Sequence, residues 1–309
     1  MCFLLSPHGG YCLFCRTEMK TAIDFGILAL TMALMFSVGL ELEARHFMEL
    51  VRKKDTFLVA LIGQMVVLPA IGILIVRAIS LPEYLRVGIL LVAACPVGDI
   101  ANFYTLMARG NVALSVAVNA ISCLASVASM SVVFGVYSRI MGAEFALSVP
   151  SFDFVARLIL LVAVPIALGM GFRVIQAGVA DRVSASLRML CVGGVLLLCT
   201  FVIANRYEQL RADWKAIWIA SFSLMVVAMA VGWAIGRVMR LKRSDAITFV
   251  ILYPVRNIAL ATAIAVSIMG RLEYAAFATA YFLSEASLLL GAVIFFRYFW
   301  AVAPLTDSA

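Results

Sequence analysis

The chain has 309 residues, 65% of them hydrophobic and 13% charged, with a mean hydropathy of +1.09 and a formal net charge of +7. A soluble domain needs far more charge to cover its surface, so these figures exclude a soluble globular protein and describe a polytopic membrane protein. The basic clusters at Arg52-Lys53-Lys54 and at Arg237, Arg240, Lys242 and Arg243 account for the positive balance as loop charge on one membrane face, with no role for nucleic acid.

Residues 1–18, with Pro7, Gly9, Gly10 and the Cys12-Leu13-Phe14-Cys15 pair, are too short and too interrupted to cross a bilayer or to form an ordinary signal peptide, and Met19 is a second candidate start. The cysteine pair has no partner ligands to make it a metal or redox motif. Cys95, Cys123, Cys191 and Cys199 read as small apolar residues within spans, and the 7 cysteines set up no disulfide framework.

A bilayer core of about 30 Å takes roughly 20 apolar residues per helix. Nine stretches meet that requirement: Ile23–Leu42, Phe57–Ile79, Leu85–Met107, Val112–Val136, Phe154–Val174, Leu187–Ala204, Ala216–Val238, Ala246–Met269 and Ala275–Phe296. Their connections are short, so a single membrane domain is expected over 1–309, with tails at 1–22 and 297–309. The Lys/Arg bias places the N-terminus outside and the C-terminus inside, the basic run after the first span weighing most.

Three ionisable residues fall inside these spans: Asp99, Arg256 and Glu285. Each costs about 2.5–3.5 kcal/mol near a helix centre, so the three are expected to face one another. Asp99 lies beside Pro96-Val97-Gly98 and Arg256 beside Pro254, which predicts that the third and eighth spans are both broken near the middle. Each is the second helix of a group of three. That pattern suggests an inverted repeat, 23–136 and 154–296, whose two discontinuous helices cross near the midplane and leave backbone groups free for ions and an anionic substrate.

Other chemistries find little support. An intramembrane aspartyl protease needs two aspartates, and only Asp99 lies mid-span. A Ser/His or zinc site needs a histidine, and both His8 and His46 lie outside the spans. The chain therefore reads as a transporter and not an enzyme, the alternative class being a non-transporting membrane receptor or scaffold.

The stretch Ala94-Cys95-Pro96-Val97-Gly98-Asp99-Ile100-Ala101-Asn102, followed by Ala108-Arg109-Gly110-Asn111-Val112-Ala113-Leu114-Ser115, resembles the bile acid:sodium symporter family. Gly39-Leu40-Glu41-Leu42, Gln64 with Pro69, Pro165-Ile166-Ala167-Leu168-Gly169 and Asn257-x-x-Leu260-Ala261 extend the resemblance from Ile23 to Phe296. It implies an all-α fold with nine transmembrane helices and inverted repeats, the first repeat lacking its first helix. It also implies a panel and a core domain and a multi-pass place in a bacterial-type inner membrane.

The resemblance further implies two sodium sites. At the first, the family positions fall on Ala101, Asn102, Ser115 and Asn119, so a Na⁺ held by Asn102, Ser115 and Asn119 is expected to survive in part. At the second, which uses Gln64, the anionic ligand has become Leu252 and a glutamine has become Arg256. A guanidinium has no acceptor and repels Na⁺, so Arg256 stands in for the cation there. The expected binding residues are Gln64, Asp99, Asn102, Ser115, Asn119, Arg256, Asn257 and Glu285. They are expected to serve a small organic anion moved by alternating access, with Na⁺ or H⁺ as coupling ion, no other cofactor, and lipid as the surrounding partner. The acid left over when one arginine faces Asp99 and Glu285 is the expected proton relay.

Overall fold

A computed structural model describes residues 13–43, 48, 53–141 and 152–299. Arg52, Cys12, His8 and His46 lie outside the described residues. Among the described residues the regular structure is helical, and the only β-type pairing is one isolated antiparallel bridge.

Seven helices are long and apolar enough to cross a membrane: Ile23–Glu41, Lys54–Ala78, Val112–Ile140, Asp153–Ile175, Ala177–Ala212, Trp214–Val238 and Leu272–Tyr298. The other two expected spans are divided. The third becomes α4 (Glu83–Ala94) and α5 (Ile100–Met107), and the eighth becomes α11 (Arg243–Leu252) and α12 (Ile258–Ala263). Of the remaining helices, α1 covers Leu13–Glu41, α6 Val112–Met141, α9 Ala177–Ala212 and α13 Ala275–Ile294. Helix α9 begins ten residues before the expected Leu187, and its polar first turns, which hold Asp181, Arg182 and Ser184, hid that start.

Pro69 and Pro165 explain two further irregularities. A proline cannot donate to the carbonyl four residues back and crowds it, so the preceding turn widens. A π-turn accordingly occupies Gly63–Val67 before Pro69 and Ile159–Ala163 before Pro165. Both prolines then begin a regular helix that runs to Ala78 or Ile175.

Helix α1 packs closely on Val164–Ile175 through Gly39 and Gly169. A Cβ on Gly39 would strike the Ile166 carbonyl and one on Gly169 the Phe36 carbonyl, so small residues set this helix separation. Asn111 caps α6 by accepting from the Leu114 amide (3.1 Å), donates its side-chain nitrogen to Asp245 (2.8 Å), and donates its backbone amide to the Thr248 hydroxyl oxygen (2.7 Å). Lys53 completes this knot with a 2.8 Å pair to Asp245. The Ala108–Asn111 turn, with Arg109 in the left-handed region at φ 60, therefore clamps the α5–α6 corner to the start of α11.

The two breaks meet each other. Val97 pairs with Arg256, the Gly98 amide donates to the Val255 carbonyl (3.4 Å), and the Asn257 amide donates to the Pro96 carbonyl (3.0 Å). Gly98 is required there, because a Cβ would lie 2.7 Å from the Arg256 carbonyl oxygen. Gly98→Ala is expected to force the strands of the bridge apart and to cost about 1–3 kcal/mol, the usual penalty of overpacking. A lower unfolding midpoint of the detergent-purified protein would show it, and an unchanged midpoint would argue against a close approach.

Candidate functional site

The crossing carries its polar chemistry on two sides. On the first, α5 begins at Asp99 and directs Asn102 toward α6, where Ser115, Asn119 and Ser122 share one face at spacings of four and three residues. Ser115 Oγ donates to Asn102 Oδ1 (2.7 Å), Thr105 Oγ1 lies 3.4 Å from Ser115 Oγ, and Asn119 Nδ2 donates to Asp99 Oδ1 (2.9 Å). Ser122 Oγ accepts from the Val97 amide at 3.3 Å, satisfying a donor of the bridge that no backbone carbonyl reaches.

This cluster extends to a residue that did not stand out as a site from sequence. Glu41, at the end of α1, accepts from Asn102 Nδ2 (3.2 Å) with one oxygen and from Arg188 of α9 with the other. Asp99 lies within electrostatic reach of both Glu41 and Arg188. Arg173 donates to the Leu40 carbonyl (2.5 Å) and pairs with Glu43 (2.6 Å) and Asp181 (2.9 Å) just outside. A usable signal was present in the sequence, since Glu41 and Arg188 stand at the edges of apolar spans, one acid and one base.

On the second side stand Gln64, Arg256 and Glu285, each at most 3% exposed. The expected ion pairing of Arg256 with Asp99 or Glu285 is corrected here: among the described residues its guanidinium pairs with neither. Arg256 Nη2 donates to the backbone carbonyls of Ala93 (2.9 Å) and Gln64 (3.4 Å). Both carbonyls are free for a traceable reason. The helical partner of Ala93 O would be the Val97 amide, which Ser122 has taken. In the π-turn the partner of Gln64 O would be residue 69, which is proline, while the Leu68 amide already serves Gly63. The arginine thus caps two orphan carbonyls instead of a carboxylate.

Glu285 lies beside Arg256 on the side of its backbone amide, without reaching hydrogen-bond geometry. Both its carboxylate oxygens, Arg256 Nη1, and the side-chain nitrogen and oxygen of Gln64 have no hydrogen-bond partner among the described residues. Asn257, the remaining expected residue, caps α12 by accepting from the Leu260 amide at 3.0 Å.

A cavity of about 540 Å³ opens beside the crossing. Gly98, Asp99, Arg256, Asn257 and Ala259 form its wall at the breaks, while Arg188, Met189 and Val192 of α9 face them with Leu34 and Phe282 at the ends. Its size and mostly apolar lining with a few charged groups suit a small organic molecule. The structure therefore brings Asp99, Asn102, Ser115 and Asn119 together at one side of the crossing and Gln64, Arg256 and Glu285 at the other, and the cavity touches Asp99 of the first group and Arg256 of the second.

A broken-helix crossing with asparagine and serine behind it is the arrangement the family resemblance implied. Residues 27–214 match the Sodium Bile acid symporter family. The chain belongs to that family. Among curated relatives, an uncharacterized sodium-dependent transporter, YocS, of Bacillus subtilis (strain 168) is 29% identical over 203 residues, covering 66% of this chain and 60% of its own length. The sodium/bile acid cotransporter 4 of Rattus norvegicus is 25% identical over 252 residues, covering 81% of this chain and 58% of its own, and the P3 protein of Bos taurus is 26% identical over 279 residues, covering 88% and 58%. The chain therefore spans no more than 60% of the length of these relatives. It is a multi-pass membrane protein of a symporter family, and YocS and the sodium/bile acid cotransporter 4 carry the names of transporters, not of enzymes.

Proposed function

We propose that this protein is a secondary transporter that moves a small organic anion, together with a cation, through the cavity at the crossing by alternating access. The observation that carries the reading is the cavity itself, set against two interrupted helices and edged by Asp99 and Arg188. Its architecture on this reading is nine membrane passes, the seven continuous helices plus the two divided ones, arranged as two inverted repeats. Substrate, coupling ion and the membrane involved belong to this proposal.

Charge decides which ion site remains. Near the cavity the charges of Glu41 and Arg188 cancel, leaving Asp99 as an uncompensated acid that draws a cation when an anionic substrate arrives. Asn102, Ser115 and Asn119 carry the oxygens for it, once their mutual hydrogen bonds rearrange. At the Gln64 side the permanent charge of Arg256 occupies the place of a second ion, which disfavours Na⁺ there. One coupling cation, Na⁺ or H⁺, is the consequence.

Uptake by the reconstituted full chain tests this. Transport of organic anions into vesicles is expected to respond to an imposed Na⁺ or proton gradient with a Hill coefficient near one in the coupling ion. A coefficient near two in Na⁺ would contradict the assignment of Arg256. Saturable binding without uptake under any gradient would favour a receptor.

A further inference from the structure

The cavity has one cationic side chain that opens onto it. Arg256 lines the wall but is 3% exposed, and its Nη2 is turned to the carbonyls of Ala93 and Gln64. Arg188 is 37% exposed at its side chain, faces the break from α9, and is held by Glu41, whose own side chain is 16% exposed. Glu41 in turn ties α1 to α5 through Asn102, and Asn102 continues to Ser115. One carboxylate thus links the exposed arginine of the cavity to the half-helix at the crossing.

We propose that Arg188 is the anion-recognising residue of this cavity and that Glu41 is its built-in placeholder, displaced by the carboxylate of an amphipathic monocarboxylate substrate. The inference rests on the organic-anion reading above and adds the residue that recognises the anion and the residue that the anion displaces. An arginine fork matches a carboxylate in two parallel hydrogen bonds, so a substrate carboxylate and Glu41 are chemical equivalents competing for one position. Exchange leaves Arg188 paired in both states. The displaced Glu41 carboxylate stands near Asp99, a negative charge that the coupling cation of the proposed function offsets. Leu34, Phe103, Met189, Val192 and Phe282 give the remaining wall an apolar character that suits the body of such a substrate.

Exchange also carries a signal. With Glu41 drawn off Asn102, the hydrogen bond between α1 and α5 is lost at the moment the site fills. Occupancy is thereby coupled to freedom of the half-helix, as a carrier requires.

The test measures binding of benzoate, naphthoate and cyclohexanecarboxylate, each with its uncharged amide, to the purified full chain in Na⁺ buffer. The wild type is expected to bind at least one carboxylate and none of the amides. Arg188→Gln is expected to weaken that binding by about tenfold or more, with Arg188→Lys intermediate, since a point charge lacks the fork. Glu41→Gln removes the competitor and is expected to strengthen it by about tenfold. Glu41→Asp, whose shorter side chain also holds Arg188 less well, is expected to strengthen it to a lesser degree and serves if the glutamine variant fails to fold. Binding that Arg188→Gln retains, or that both Glu41 variants weaken, overturns the exchange while leaving the organic-anion reading standing. A wild type that binds none of the carboxylates overturns both.

Discussion

Replacing Arg256 by alanine is expected to destabilise the protein by about 3–5 kcal/mol, the cost of breaking a buried charged network from one side. Three losses combine. The Ala93 and Gln64 carbonyls lose the only donor they have outside helix geometry. Glu285, 1% exposed, loses the cation that stands beside it among the described residues. The bridge at Val97 and Arg256 also loses the side chain that tethers it to α4. Arg256→Lys restores a charge without a planar fork and is expected to recover only part of the stability. Adding Glu285→Gln to Arg256→Ala should recover some as well, because it removes the stranded carboxylate. Thermal unfolding of the wild type, Arg256→Ala, Glu285→Gln and the double variant measures the coupling, and strict additivity of the two substitutions would show that the two side chains act independently.

The second large effect is expected at Asp99. Asp99→Asn keeps the shape of the side chain and a hydrogen-bond partner for Asn119, but removes the charge that draws the coupling cation. A hydrogen bond or ion contact to a charged group is worth about 1.5–3 kcal/mol, so gradient-driven uptake should fall by about tenfold or more. Stability should change far less than in Arg256→Ala, since Asp99 makes no ion pair among the described residues. Uptake measured with and without the ion gradient separates the two effects. Retained gradient dependence in Asp99→Asn would place the coupling ion elsewhere.

On the outer flank from Glu41, α9 meets the core through a different set of polar contacts. Arg206 pairs with Glu273 at 3.0 Å, at the residue where α9 departs from helical geometry. Nearby, the Tyr84 hydroxyl donates to Asp213 at 2.7 Å. The Glu41–Arg188 end and the Arg206–Glu273 end of α9 are thus both latched to their neighbours, and the proposed alternating access would release them.

Much of this site was legible in the sequence, and the reasons are local. Breaker and charge together at Pro96–Asp99 and Pro254–Arg256 marked the two interruptions, because proline and a buried charge each oppose a continuous membrane helix. The shared face of Ser115 and Asn119 followed from helical spacing. The partners of Arg256 were not legible. Two backbone carbonyls compete for a guanidinium as well as a carboxylate does, and whether they are free depends on Pro69 and Ser122, which lie far away in sequence. Glu41 and Arg188 escaped notice because a charge at the end of an apolar span usually marks the membrane surface, and only the packing of α1 against α9 turns them inward.

Alternating access at this cavity, as proposed, requires α9 to move against the broken helices that line it with α9. Cysteines at Arg206 and Glu273 in a chain whose native cysteines are replaced, joined by a short bifunctional thiol reagent, test it most directly in vesicles. The account predicts that cross-linking stops uptake and that reduction of a cleavable linker restores it, with the same reagent harmless to the chain lacking both cysteines. Uptake that continues unchanged with the link intact would contradict it.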